Sequence, residues 1–172
     1  MPRKAAVLVT GMSGVGKSTV LAGLAQRGYI TVDTDDGPWI EVIDSEPLWR
    51  ESLIDELLNQ KRDAHLFVQG TVANQWHFYD HFDAVVLLTA PTDVVLDRVR
   101  RRTNNPFGKA EDERARILAD IAEIEPLLRR SATHEINTTR PLPEVIDVLV
   151  GIAATAVDGR DAPPPASAQS GN

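Results

Sequence analysis

The stretch Ala5-Ala6-Val7-Leu8-Val9-Thr10-Gly11-Met12-Ser13-Gly14-Val15-Gly16-Lys17-Ser18-Thr19-Val20-Leu21 decides the fold. Within it, Gly11 to Ser18 fill every fixed position of the pattern G-x-x-x-x-G-K-[ST]. Glycines at these positions let successive backbone N–H groups turn inward and cradle polyphosphate oxygens. Lys17 adds positive charge at the outer phosphates, and the Ser18 hydroxyl is placed to hold Mg²⁺. The flanks agree with that reading. Ala5 to Val9 is a buried strand by its apolar run, and Ser18 to Arg27 reads as a helix. Val20, Leu21, Leu24 and Ala25 share one face of that helix, and Gly28 is its C-cap. The helix N-terminus, with its partial positive charge, then faces the same phosphates. A glycine turn without a ligand would have no use for the Gly-Lys-Ser end. Gly11, Ser13, Gly14, Val15, Gly16, Lys17, Ser18 and Thr19 are therefore nucleotide-binding candidates, with Lys17 also catalytic and Ser18 also a metal ligand.

The chain has 172 residues, enough for one α/β domain with a substantial core and too few for two ordinary ones. Its 42% hydrophobic and 25% charged content is that of a globular protein. A formal net charge of −7 repels nucleic acid and anionic membranes, so a small anionic ligand needs a local cluster of basic residues. The absence of cysteine excludes disulfides and thiolate zinc sites. No apolar run is long enough to span a bilayer as a helix. Met1-Pro2-Arg3-Lys4 leads directly into the first strand, leaving no room for a signal peptide, and the expected compartment is the cytoplasm.

Strands and helices alternate along the chain. Tyr29 to Val32 reads as a second strand ending at Asp33, followed by a polar loop from Thr34 to Ser45. A helix is expected from about Pro47 to Gln60, a third strand over His65 to Val68, and a short helix over Asn74 to Phe82. Ala84 to Leu88 is the clearest buried strand. Pro91 opens a helix with Val94, Val95 and Val99 on its apolar side. Thr103 to Lys109, rich in Asn, Pro and Gly, breaks the pattern and reads as a lid-like loop over about 103–110. A long helix from about Ala110 carries Ile117, Ile121, Ile124 and Leu128, with a kink expected at Pro126. A short strand, His134 to Asn137, and a helix from Pro143 to Ala154 close a domain spanning 1–157. Residues 158–172, with Pro163-Pro164-Pro165, read as a disordered tail. Strands joined by helices imply a parallel sheet covered on both faces, with ligands beyond the strands' carboxyl ends.

A nucleotide site of this kind needs a second acid at the end of another strand to orient Mg²⁺. The third strand ends in Gln69-Gly70 and the fourth in Thr89-Ala90, so only the second supplies carboxylates, in Val32-Asp33-Thr34-Asp35-Asp36. Asp33 and Asp35, two apart, face the same way if the extended conformation persists. Asp33 then serves the metal, and Asp35 receives the proton of an acceptor hydroxyl. A solvated acidic turn is the plainer alternative for the pair.

Arg98, Arg101 and Arg102 are three and four apart on one helix and precede the lid-like loop. Concentrated positive charge there suits a transition state that spreads negative charge over oxygens. Arg98 is thus a nucleotide-binding candidate and Arg101 and Arg102 catalytic ones, with Lys109 a possible contributor. A basic helix end favoured by the dipole is the alternative. Arg50 is a candidate for an anionic group of the acceptor, or a surface partner of Glu46 or Glu51. Gly70 and Thr71 end the third strand where backbone can approach the acceptor. Trp39, Trp49 and Trp76 fall in segments bordering that region. The four histidines have no metal-ligand spacing.

These residues together resemble the small P-loop kinases, a group that includes shikimate kinase, gluconate kinase and the nucleoside monophosphate kinases. The resemblance covers nearly the whole expected domain. It rests on Gly11–Ser18, the Asp33-x-Asp35 pair, the basic helix before a lid, and Asn137-Thr138-Thr139-Arg140-Pro141. It implies a three-layer α/β P-loop NTPase fold with a parallel five-stranded sheet and a small lid. It implies ATP and Mg²⁺, a small-molecule acceptor, and an adenine pocket lined by the loop after the last strand, where Thr138, Arg140 and Pro141 become base-contact candidates. Trp49-Arg50 is similar to the Phe-Arg pair that holds the shikimate carboxylate. Two departures leave the acceptor open. Shikimate kinases carry Gly-Gly-Gly where this chain has Gln69-Gly70-Thr71, and the Asp-Gly-x-Pro-Arg of many nucleoside monophosphate kinases is missing.

A regulatory GTPase would need Asn-Lys-x-Asp, and Asn59-Gln60-Lys61-Arg62-Asp63 does not provide it. A motor or transporter ATPase would need a strand-terminal Asp beside a catalytic Glu, which is not found. A non-catalytic nucleotide sensor stays open, although Lys17, Ser18 and the Asp pair occur together. A nucleic-acid module is disfavoured by charge. The expected activity is transfer of the γ-phosphoryl group of ATP to a small, anionic metabolite hydroxyl or, alternatively, to a nucleoside monophosphate.

Overall fold

A computed structural model of the chain describes residues 3–101 and 111–161. Five parallel strands form one sheet in the spatial order β2-β5-β1-β6-β7. These are β1 (Ala6–Thr10), β2 (Ile30–Asp33), β5 (Leu66–Gln69), β6 (Ala84–Thr89) and β7 (His134–Asn137). Alternation along β1 divides the core in two. Val7 and Val9 face one cluster, with Phe67, Val86 and Leu88, packed under α1 (Lys17–Gln26), α3 (Thr92–Arg101), α4 (Glu111–Ser131) and α5 (Leu142–Asp161). Ala6 and Leu8 face the other, with Leu66, Val68 and Val85, under α2 (Glu51–Asn59) and a 3₁₀ segment, Gln75–His81, that brings in Phe78 and Phe82. The result is a three-layer α/β domain. None of the described helices is long and apolar enough to cross a membrane.

The largest difference from the sequence reading lies between β2 and α2. The expected polar loop contains an antiparallel hairpin, β3 (Ile40–Ile43) and β4 (Glu46–Trp49), so α2 begins at Glu51 and not at Pro47. Its two-residue turn, Asp44-Ser45, has φ of 52° and 66° without a glycine, which hid the hairpin from a search for turn residues. Trp49 ends β4 fully buried against Phe78 and Phe82. Its indole N–H donates to Thr34 Oγ1 at 3.0 Å. A Cβ on Gly70 would lie 2.6 Å from that Thr34 oxygen and 2.9 Å from the indole ring. Gly70 therefore admits Trp49, and the hairpin is keyed to the end of β5.

Smaller differences follow simple causes. The last helix continues to Asp161, past the expected end at Ala154, because Ala156 and Val157 extend its apolar side. Pro126 sits inside α4, which runs from Glu111 to Ser131. Ala25 is exposed, unlike Val20, Leu21 and Leu24. The expected disordered tail begins at residue 158, but residues 158–161 belong to α5; the lid-like loop and residues 162–172 lie outside the described residues.

Candidate active site

The Gly11–Ser18 loop joins β1 to α1 in a conformation that requires its glycines. Gly14 has φ of 86°, and a Cβ there would lie 2.8 Å from Val99 on α3. Gly16, at φ of 105°, is the residue from which α1 starts. Val20 N–H donates to the Gly16 carbonyl at 3.0 Å, so the helix N-terminus abuts the loop. Lys17 Nζ folds back over the loop, donating to the Gly11 carbonyl at 2.5 Å and the Met12 carbonyl at 3.1 Å. Ser18 and Thr19 are exposed at the mouth.

A cavity of about 590 Å³ runs across this loop. Ser13, Gly14, Gly16, Lys17, Ser18 and Thr19 form its floor, Asp35 lies on its wall, and Arg98, Thr138 and Arg140 line it together with Leu142 and Val145. Leu142 and Val145, at the start of α5, add apolar wall beside Thr138 and Arg140, as a flat base would need. Sequence reasoning passed over both, although their position just after Pro141, at a helix start, was the available signal.

Arg98 has a defined task. Its guanidinium donates to the Val15 carbonyl at 3.1 Å and to Thr138 Oγ1 and the Thr138 carbonyl at 2.8 Å each, tying α3 to the phosphate loop and to the segment after β7. Arg101 does not share this position. It is exposed, pairs with Asp97 at 3.2 Å within α3, and does not line the cavity. The expected arginine cluster is thus divided between the two, and Arg102 and Lys109 lie outside the described residues.

On the other side, parallel register sets Asp33 of β2 beside Gln69 of β5. Asp33 Oδ1 accepts the Asp35 backbone N–H at 3.0 Å. The Gln69 amide nitrogen donates to Asp33 Oδ1 and also to Asp35 Oδ2, the latter at 3.2 Å. Asp35 faces the cavity and Asp33 sits behind it. Thr71 closes the end of β5 onto the phosphate loop, donating to the Gly11 carbonyl at 2.6 Å with Thr10 Oγ1 3.2 Å away. Its hydroxyl is spent on holding the loop.

Arg50 is elsewhere. It pairs with Glu41 across the hairpin at 3.6 Å, not with Glu46 or Glu51, and lines a second cavity of about 380 Å³ with Trp49, Glu51, Ser52 and Asn74. The structure does not bring it into the cavity that Asp35 lines. Trp76 is exposed beside His77.

The oxygen donors of the cavity, the Ser18 hydroxyl and the Asp35 carboxylate with Asp33 behind it, are of the hard kind that suits Mg²⁺. Among the described residues no group of three His, Cys, Asp or Glu side chains is arranged to hold a metal unaided. Magnesium bound largely through nucleotide phosphates asks for no such cage.

Comparison with known proteins agrees with this geometry. A family model described as an AAA domain matches residues 7–119. Shikimate kinase of Halorhodospira halophila is 33% identical over 151 residues, covering 77% of this chain and 84% of that protein. An adenylate kinase isoenzyme 6 homolog of Caenorhabditis elegans is 24% identical, covering 88% and 90%. The structure of shikimate kinase from Acinetobacter baumannii in complex with shikimate superposes with a TM-score of 0.62 at 21% identity, covering 94% and 97%. The phosphate loop, the sheet order and these relatives together show that the chain belongs to the small P-loop kinases.

Proposed function

We propose that this kinase uses ATP and Mg²⁺ to phosphorylate the hydroxyl of a small anionic metabolite, with Asp35 as the proton acceptor. The observation that carries the reading is that Lys17, Ser18 and Asp35 line one cavity. In the proposed step the acceptor oxygen attacks the γ-phosphorus, the bond from that phosphorus to the β–γ bridging oxygen breaks, and ADP leaves. The acceptor's proton passes to the Asp35 carboxylate. Lys17 stabilises charge on the transferring group. Ser18 would hold Mg²⁺ and Asp33, behind Asp35, would orient its waters; bound there, the ion would neutralise charge on the phosphate oxygens. Thr138, Arg140, Leu142 and Val145 would receive the base, and Arg98 fixes their loop against Val15.

The relatives named shikimate kinase make shikimate the first acceptor to try. A nucleoside monophosphate is the second, supported by the adenylate kinase homolog that spans most of the chain. The test is ADP release across a panel of shikimate, gluconate and the nucleoside monophosphates. Asp35→Asn should lower the stimulated rate by about 10²- to 10⁴-fold while ATP affinity stays within about twofold. An Asp35→Asn enzyme with full turnover would remove Asp35 from the chemistry. A panel in which no acceptor raises ADP release favours a nucleotide sensor.

A further inference from the structure

We infer that Gln69 is a positioning residue for phosphoryl transfer, holding Asp33 and Asp35 in one arrangement through its amide nitrogen. The inference rests on the reading of Asp35 as proton acceptor.

Gln69 is 1% exposed at the end of β5, between the ends of β2 and β1. Its main chain is fixed, since its carbonyl accepts both the Thr34 N–H at 3.2 Å and the Thr34 hydroxyl at 2.8 Å. The side chain then commits both protons of its amide nitrogen to carboxylates, one on Asp33 and one on Asp35. Its oxygen, Oε1, is buried with no hydrogen-bond partner, the single such side-chain atom among the described residues. Turning the amide over would not help, because Oε1 would then face two groups that are acceptors only when ionised. The orientation is therefore forced by the two acids, and it leaves a buried acceptor unsatisfied, which is unfavourable for folding.

Gln75 provides the contrast. It is equally buried, at 2% exposed, yet every polar atom is used. Its oxygen accepts the Val72 N–H at 3.0 Å, and its nitrogen donates to Thr10 Oγ1 at 3.1 Å and Tyr79 OH at 3.0 Å. Gln75 is arranged as a residue that supports the fold. Gln69 is arranged as one that serves two neighbouring negative charges. A shared donor offsets their repulsion, keeps Asp35 directed into the cavity, and leaves Asp35 Oδ1 for the acceptor hydroxyl.

The test compares Gln69→Met, which keeps the volume and removes both donor and orphan acceptor, with Gln75→Met, in the full chain. Readouts are ADP release from Mg·ATP with the best acceptor of the panel (or with water as acceptor if none accelerates it), ATP affinity, and melting temperature. Gln69→Met should lower kcat by about 10- to 100-fold, leave the KM for ATP within about twofold, and melt no lower than the wild type. Gln75→Met should melt lower, with kcat per folded molecule unchanged. In an Asp35→Asn background, Gln69→Met should add nothing to the loss. A Gln69→Met enzyme with kcat within twofold of wild type overturns the inference, as does a lowered melting temperature at unchanged kcat. A further loss of similar size on top of Asp35→Asn overturns it too. If Gln69→Met does not fold, Gln69→Glu, alike in shape with at most one proton to give, carries the same comparison, and failure of both to fold assigns Gln69 to structure. Full activity in Asp35→Asn alone defeats the reading of Asp35, whereas an inactive Asp35→Asn beside a fully active Gln69→Met defeats only the role of Gln69.

Discussion

The phosphate end of the cavity is built from backbone, and the acid end from side chains. At the phosphate end the useful groups are those of a loop held by Gly14 against Val99, by Thr71 at Gly11 and by Arg98 at Val15. No substitution except proline removes an amide N–H from that loop; any other can only displace it. At the acid end, Asp35 is exposed, steadied by Gln69, and followed by a hairpin whose strands pair only with each other. One end suits a ligand shared by a whole group of proteins, and the other suits a ligand that differs between its members.

The largest expected effect is that of Lys17→Ala, about 10³-fold or more in kcat, with a far smaller effect on melting temperature, because water can take the place of its ammonium at the Gly11 and Met12 carbonyls. A loss of stability matching the loss of rate would mean that Lys17 props the loop open and does no chemistry.

Trp49→Ala comes next. It removes a fully buried side chain whose neighbours are Phe78, Phe82 and Gly70, and should destabilise the fold by about 3–5 kcal/mol in urea unfolding. In the protein that remains folded, acceptor KM should rise while ATP affinity holds. Equal loss of both would show that the two ends are not separately built.

Arg98→Met is smaller. Removing its three charge-assisted hydrogen bonds to Val15 and Thr138 should raise the KM for ATP about tenfold and leave acceptor KM alone. A change confined to the acceptor would reverse the assignment of the cavity's two ends.

The same contrast governs what the sequence made legible. Gly11–Ser18 is contiguous, so its pattern announces strand, turn, helix and ligand at once. Asp33 and Asp35 stand out because local sequence shows which strand ends in an acid. Gln69 could not be found that way: it lies 36 residues from Asp33 and meets it only because β5 inserts between β2 and β1. Spacing along α3 placed Arg98 and Arg101 together, but three residues of rotation put one on Val15 and the other in solvent beside Asp97. In the sequence Trp49-Arg50 reads as helix because Leu53, Ile54, Leu57 and Leu58 extend the apolar pattern backward into β4. There, alternation over four residues is too short to compete.

The Asp44-Ser45 turn has a consequence for how this protein can change. Two L-residues held at positive φ each cost on the order of 1 kcal/mol relative to glycine at the same place. The hairpin therefore sits below the stability its own backbone allows, at a tip remote from the phosphate loop in sequence. One glycine there would supply a reserve that neighbouring substitutions could draw down. The acceptor end has room to drift toward new ligands while the machinery that handles the nucleotide stays as it is.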